Sequence, residues 1–212
     1  MTGGEAVLYD YWRSSASYRV RIALNLKGVA WRARPVDLLA GAHKQPDHLA
    51  RQPQGLVPAL AIDGHMLTQS LAIAEYLDET RPDPPLLPAD PLGRQRVRAL
   101  AHVVAMDIHP ICNAGVANHV AALVGDGDAT RAAWMQRFIG QGLAALEAML
   151  ADPATGRFCH GDVPTLADCC LVPQVYNARR WDVPVPARVA AIAAACEGIE
   201  AFAAAHPDRV RP

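Results

Sequence analysis

Five prolines crowd the stretch Arg81-Pro82-Asp83-Pro84-Pro85-Leu86-Leu87-Pro88-Ala89-Asp90-Pro91, and neither a helix interior nor a central strand can run through it. A stiff linker is expected there. It separates two different hydrophobic patterns. Ahead of it strand and helix periods alternate; behind it the Ala- and Leu-rich segments 91–124, 129–151, 166–180 and 187–205 read as helices, with no convincing strand alternation. The expected domains are therefore 1–81, a linker 82–90, and an all-α domain 91–212. At 212 residues and 51% hydrophobic content the chain can bury a sizeable core without staples.

Within the first part, Ala6-Val7-Leu8-Tyr9-Asp10-Tyr11 is a short strand, and Tyr18 to Lys27 repeats apolar residues (Val20, Ala23, Leu24) at helical spacing before Gly28. Trp31 to Val36 follows as a strand. Pro35 cannot donate to a ladder, so this strand belongs at a sheet edge and the first strand lies inside it. Ala59 to Ile62 and His65 to Leu67 flank Asp63-Gly64, a two-residue hairpin signal. Ser70 to Thr80 reads as a helix with Ser70 as N-cap. The order is βαβ, a loop with a helical turn, then ββα. In the second part, Thr165-Leu166-Ala167-Asp168 has the pattern of a capping box, a structural signal only.

Between the first strand and helix stands Arg13-Ser14-Ser15-Ala16-Ser17-Tyr18-Arg19-Val20-Arg21. Hydroxyls at a helix N-terminus, where backbone N–H groups are unpaired, can hold a thiolate, carboxylate or phosphate. Plain N-capping would account for one serine and leave the others unexplained. Twenty Lys plus Arg against 21 Asp plus Glu create no global field for nucleic acid or an anionic membrane, so anion recognition must be local. Met1-Thr2-Gly3-Gly4-Glu5 lacks the basic and apolar regions of a leader, and no apolar run approaches a membrane span; a cytoplasmic protein is expected. Cys112, Cys159, Cys169, Cys170 and Cys196 are odd in number and fit no redox or zinc spacing, so buried reduced thiols are expected. His43 with His48, and His102 with His109, are not i, i+4 pairs, and no metal site is expected.

The run Tyr11 to Leu24 resembles the signature of the zeta-class glutathione transferases. So do Leu56-Val57-Pro58-Ala59-Leu60, Gln69-Ser70-Leu71-Ala72-Ile73-Ala74-Glu75-Tyr76-Leu77, and Asp168 to Val175 followed by Asn177-Ala178-Arg179-Arg180. The likeness covers most of the chain. It implies a thioredoxin-like α/β domain (βαβββα) followed by an all-α domain, glutathione as cofactor, and a homodimer.

By this resemblance Val57-Pro58 is a cis-proline turn whose backbone pairs with glutathione's cysteinyl backbone, although an isolated X-Pro bond is more often trans. Gln69-Ser70 holds the γ-glutamyl group, with a plain N-cap as the alternative; His43 meets the glycine end, unless it is a solvated loop residue. Ser14, supported by Ser15, donates to the glutathione sulfur. A thiol with a pKa of about 8.5 needs lowering by about 1.5 to 2 units, or about 2 to 3 kcal/mol, to be mostly ionised at neutral pH. Arg13 and Arg180 are candidates for the substrate's carboxylates, against surface ion pairing; Arg19 and Arg21 lie along the helix and read as structural. His109 and Asn113, four apart on a first long helix kinked at Pro110, would share a face as substrate and glutathione contacts, with a buried, hydrogen-bonded histidine as the rival reading. Two departures stand out: Ala16 where the family usually has cysteine, and Ala114-Gly115 where an arginine is expected.

The implied reaction is cis–trans isomerisation of a maleyl dicarbonyl acid, maleylacetoacetate or maleylpyruvate, in aromatic-compound or tyrosine catabolism. Thiolate addition to the double bond, rotation and elimination would return glutathione unconsumed. Two alternatives are a zeta-like transferase that conjugates or dehalogenates small α-halo acids, and a non-catalytic protein that keeps the glutathione fold for binding.

Overall fold

In the computed structural model, residues 5–212 are described. The expectation drawn from Met1–Gly4 lies outside the described residues. The chain divides into two units, one running to Leu86 and including Ile199–Pro212, the other Leu87–Gly198.

The first unit holds β1 (Ala6–Asp10), α1 (Ser15–Leu26), β2 (Trp31–Pro35), α2 (Pro46–Leu49), β3 (Ala59–Ile62), β4 (His65–Thr68) and α3 (Ser70–Thr80). The strands form one sheet in the order β2-β1-β3-β4, with β1 and β2 parallel and the other pairs antiparallel. Pro35 sits on the edge strand, as its missing N–H requires. Asp63 and Gly64 turn the β3–β4 hairpin at φ 52° and 80°, the left-handed conformations a tight hairpin needs. Leu8, Ile22, Leu24, Leu60, Ile73 and Leu77 are fully buried between the sheet and helices α1 and α3. The alternation of β1 also turns Asp10 inward, where the Arg21 guanidinium meets both of its oxygens at 2.9 and 2.8 Å. Arg21 reads as structural in the sequence; the depth of the site, 0% exposed, is not legible there.

Beyond α3 the chain is clipped to the helices. Lys27 Nζ, at the end of α1, donates to Asp78 Oδ1 at 2.6 Å and to the Pro84 carbonyl, and the same carboxylate takes the Leu86 N–H at 2.7 Å. These bonds hold the proline stretch against α1 and α3.

The C-terminal end departs from expectation. The helix expected over 187–205 stops at Glu197, and α9 (Glu200–Ala204) and α10 (Pro207–Val210) group with the first unit instead of closing an all-α domain at 212. The reason is local: α1 donates Asn25 Nδ2–H to the Ala201 carbonyl at 2.9 Å and Arg21 Nε–H to the Ala205 carbonyl at 3.0 Å, and Phe202 and Ala205 are buried.

The second unit is helical: α4 (Pro91–His102), a π-helical turn (Val103–Ile108), α5 (Ala114–Val124), α6 (Gly127–Met149), α7 (Leu166–Arg180) and α8 (Ala187–Glu197). Helix α7 is buried on nearly every side, its polar Asp168, Gln174 and Asn177 included, and packs against α4 and α8. All five cysteines are free and buried; burial pushes the Cys112 thiol up to about 11. Among the described residues no helix is long and apolar enough to cross a membrane.

The single kinked helix expected over 91–124 is three pieces. The π turn closes with the His109 N–H on the Val104 carbonyl at 2.9 Å; Pro110 then has no N–H to continue the ladder. Asn113 restarts the chain as the N-cap of α5, its Oδ1 taking the Val116 N–H at 3.0 Å. His109 and Asn113 therefore do not share a helix face.

The π turn packs on α6 through Gly142, where a Cβ would lie 2.3 Å from Ile108 Cδ1 and Cγ1. With Ile108 2% exposed there is little room to yield. Gly142→Ala is expected to destabilise by about 1 to 3 kcal/mol, with Ile108→Ala less harmful in that background than alone. Denaturant midpoints of the two single variants and the double variant check this.

Candidate active site

Three segments meet at one end of the strands in the first unit. Continuing the strand registers past the strand ends brings Tyr11 alongside Val57 and Gln69 alongside Pro58. Helix α1 starts immediately after Tyr11–Ser14, and α3 immediately after Gln69. Both helix N-termini lack acidic residues in their first turn, so their partial positive charge is uncompensated.

At α1, Ser14 is the N-cap. Its Oγ accepts the Ser17 N–H at 3.3 Å, which leaves its own proton to donate outward. The Ser14 N–H closes a turn onto the Tyr11 carbonyl at 2.8 Å. Ser15 and Ala16 occupy the first helical turn, and the buried Ser17 Oγ has no partner among the described residues. Arg13 lies over the Trp12 ring, its carbon 5.3 Å from the centroid, with a long 3.5 Å contact to the Tyr11 hydroxyl.

Val57-Pro58 is cis. Neither the N–H nor the C=O of Val57 makes a hydrogen bond among the described residues, so a strand-like edge is open for an extended ligand. The loop before it is fastened from both sides. Leu56 donates its N–H to Gln52 Oε1 at 3.4 Å, and its carbonyl accepts from His48 Nε2 at 2.7 Å. Gly55, at φ 64°, lets the loop pass; a Cβ there would meet the His43 carbonyl oxygen at 2.9 Å.

At α3 the N-cap is Gln69, not Ser70, which is the first helical residue and 6% exposed. Gln69 holds φ 68°, a conformation rare outside glycine and found where surrounding structure enforces it. Its amide donates to Gln54 Oε1 at 2.8 Å instead of capping the helix. The first-turn N–H groups therefore stay open. The Ser70 Oγ accepts from Arg19 Nη1 at 3.1 Å and keeps its own proton for an anion. Sequence reasoning missed His48, Gln52 and Gln54; their signal is weak, three polar residues spread three to nine positions ahead of a Val-Pro pair.

His43 sits in a 3-10 turn (Ala42–Lys44) with its Nδ1 buried and without a partner among the described residues. Burial first, then Lys44 and His48, hold its imidazole below the ordinary 6.5. The unfolded chain thus binds a proton that the folded chain declines just below pH 6.5, so this group's effect on stability is lost downward through that window. A carboxylate placed on it would reverse the shift, so a carboxylate ligand bound at His43 should bring proton uptake. Calorimetry in two buffers of different ionisation enthalpy should show the uptake in wild type and lose it in His43→Ala.

The remaining expected residues belong to the second unit. His109 ends the π turn. Asn113 spends its carbonyl on Val116 and one amide N–H on the Pro110 carbonyl, which keeps a single N–H for any ligand. Arg180 closes α7, exposed, with Asn177 Oδ1 3.5 Å away. Ala114-Gly115 open α5 where an arginine is expected.

Residues 5–79 match the glutathione S-transferase N-terminal domain and residues 128–205 the glutathione S-transferase C-terminal domain. The chain belongs to the glutathione S-transferase family, in its zeta class. It is 69% identical to a maleylacetoacetate isomerase of Rhizobium meliloti over 98% of this chain and 99% of that one. It is 49% identical to a maleylpyruvate isomerase of Ralstonia, over 94% and 96%. The solved holo structure of a zeta-class bacterial maleylpyruvate isomerase superposes with a TM-score of 0.94 at 47% identity, covering 97% of this chain and 98% of that one. A maleylacetoacetate isomerase of Anaeromyxobacter dehalogenans, solved with glutathione bound, superposes at 0.88 with 48% identity over 98% and 97%.

Proposed function

We propose that this chain is a glutathione-dependent cis–trans isomerase of maleylacetoacetate or maleylpyruvate. The observation that carries the reading is Ser14: an N-cap hydroxyl with its proton unspent, at an acid-free helix start beside the unpaired Val57 backbone. Near-full-length identity to proteins named for these two activities supports the substrate class. Glutathione, when bound, supplies a sulfur nucleophile that can add to an activated double bond and leave again.

The chain's own groups do the rest. Val57 pairs with the extended tripeptide, the Ser70 hydroxyl and the open N–H groups of α3 take its γ-glutamyl carboxylate, and His43 takes the glycine end. Ser14, with the α1 dipole and Ser15, holds a proton against the sulfur and so favours its ionised form. Ala16 leaves this loop without a thiol of its own, and none is needed when the attacking sulfur comes from the cofactor. Arg180 and Arg13 are the forks for the diacid's carboxylates and for negative charge that develops on its carbonyl oxygen. His109 and the remaining N–H of Asn113 are assigned to the substrate and cofactor side of the second unit.

The test is turnover of the maleyl acid at catalytic glutathione while free thiol is titrated. Product forming with thiol constant is expected; thiol lost one for one with product means a conjugating transferase, and no turnover with glutathione bound means a binding protein. Arg180→Ala should raise the KM for the diacid about tenfold or more with a smaller change in kcat; an unchanged KM removes Arg180 from the site. We also propose a homodimer working in the cytoplasm, in keeping with exposed Met66, Leu92 and Met106 and five unoxidised cysteines. Light scattering should give the mass of two chains.

A further inference from the structure

Arg21 is the largest fully buried side chain among the described residues and lies two helical turns past Ser14. It uses its guanidinium in three directions. Nη1 meets both oxygens of Asp10 on β1, Nε–H reaches the Ala205 carbonyl at 3.0 Å, and Nη2–H reaches the Trp12 carbonyl at 2.9 Å. The third bond matters most. Trp12 is the second residue of the Tyr11–Ser14 turn, so fixing its carbonyl fixes the peptide plane between Trp12 and Arg13 and with it the direction in which the turn delivers Ser14.

The C-terminal segment closes on the same turn. Arg211 lies 5.1 Å from the centroid of the Trp12 ring that Arg13 also approaches, His206 meets the Tyr18 ring edge-on at 6.1 Å, and the Arg21 guanidinium lies 5.2 Å from that Tyr18 ring. Asp10 from β1 and Tyr18 from α1 thus face Arg21 directly, while His206 on the Tyr18 ring and Arg211 and Arg13 on the Trp12 ring stand one ring further out. A lysine has one nitrogen and cannot serve three acceptors set around a plane.

We propose that Arg21 is the positioning residue that aims the Ser14 hydroxyl, with the Ala205–Arg211 segment as the far anchor of the same brace. This rests on Ser14 as the sulfur's donor. It implies that the thiol of bound glutathione senses a residue that touches neither ligand.

The experiment follows the ultraviolet thiolate absorption of glutathione bound to full-length protein as pH is varied, alongside KM for glutathione and for the maleyl acid. Arg21→Lys keeps a positive charge beside Asp10 but gives up the Trp12 or Ala205 bond. It should raise the midpoint of the thiolate band by about one unit and the glutathione KM about tenfold, leaving the maleyl-acid KM within about twofold. Arg211→Ala should move the midpoint the same way by less. Should Arg21→Lys not fold, the pair Asp10→Asn with Arg21→Met, which buries no charge, carries the same expectation. Lower thermal stability with an unmoved midpoint and unmoved glutathione KM would make Arg21 a fold residue only and overturn the proposal. Wild type without a thiolate band would fail the Ser14 reading itself, whatever the variants do.

Discussion

Replacing Ser14 by alanine is expected to lower turnover about tenfold to fiftyfold near pH 6.5 and by no more than about twofold near pH 9. The difference follows from what the hydroxyl does. At the lower pH a free thiol of pKa about 8.5 is about 1% ionised, so most active enzyme depends on the Ser14 proton and the uncompensated α1 dipole; at the higher pH the thiol ionises unaided. Initial rates across pH, with glutathione saturating at each point, provide the check. Equal losses at both ends would mean that Ser14 acts by capping α1, for which its bond to the Ser17 N–H already gives it a role. Ser14→Thr, which keeps a hydroxyl and the cap, should recover part of the low-pH rate.

The largest expected effect on folding lies at Asp168, in the second unit. Its carboxylate, 0% exposed, accepts the Cys159 N–H at 2.9 Å, the Thr165 N–H at 2.7 Å and the Thr165 hydroxyl at 2.8 Å, with the Cys196 thiol 3.9 Å away. Asp168→Ala strands three buried donors and should cost about 3 to 5 kcal/mol, a large share of the 5–15 kcal/mol typical of a domain. Asp168→Asn should cost less. Burial lifts the Asp168 pKa above 3.8 against these hydrogen bonds, so the folded chain takes up its proton first as pH falls. Its contribution to stability therefore declines as pH rises from 3.8 through the folded value and is level beyond it, and Asp168→Asn should remove that slope. Urea unfolding at several pH values measures both effects, and a midpoint stability for Asp168→Ala within about 1 kcal/mol of wild type would show the three donors satisfied elsewhere.

The elements most legible in the sequence are those whose cause is short-range. Pro35 places β2 at the edge, Asp63-Gly64 turns the hairpin, and the run Ser14 to Ser17 marks a helix start. Gln69 is legible as part of the Gln69-Ser70 pocket but its conformation is not, because nothing in Leu67-Thr68-Gln69-Ser70 signals φ 68°; the strained conformation is imposed by β4 on one side, α3 on the other and Gln54 across the loop. Ser70, with its better capping propensity, was the natural expectation and is displaced by one residue. The tail escaped for a similar reason. Gly198 is a stop signal inside the Ala-rich periodicity from 187 to 205, but that the chain beyond it joins the first unit follows from where the Asn25 and Arg21 side chains find carbonyls. Long-range partners, not local propensity, decide both cases.

The π turn at Val103–Ile108 carries one residue more than an α-helix would need to cover the same rise. Each residue advances a regular helix by about 100°, so one residue added to it would swing everything beyond by about that angle; the wide turn takes up that step instead, and deleting one residue between 103 and 108 would let α4 run on as a regular helix with His109 near its present place. Val97 and Leu100 would keep their places in the core, and the Pro110–Asn113 bend beyond the turn would keep its direction. The wide turn thus works as a phase absorber: the chain can gain or lose a single residue there while the core-facing half of the helix and the bend beyond it stay where they are.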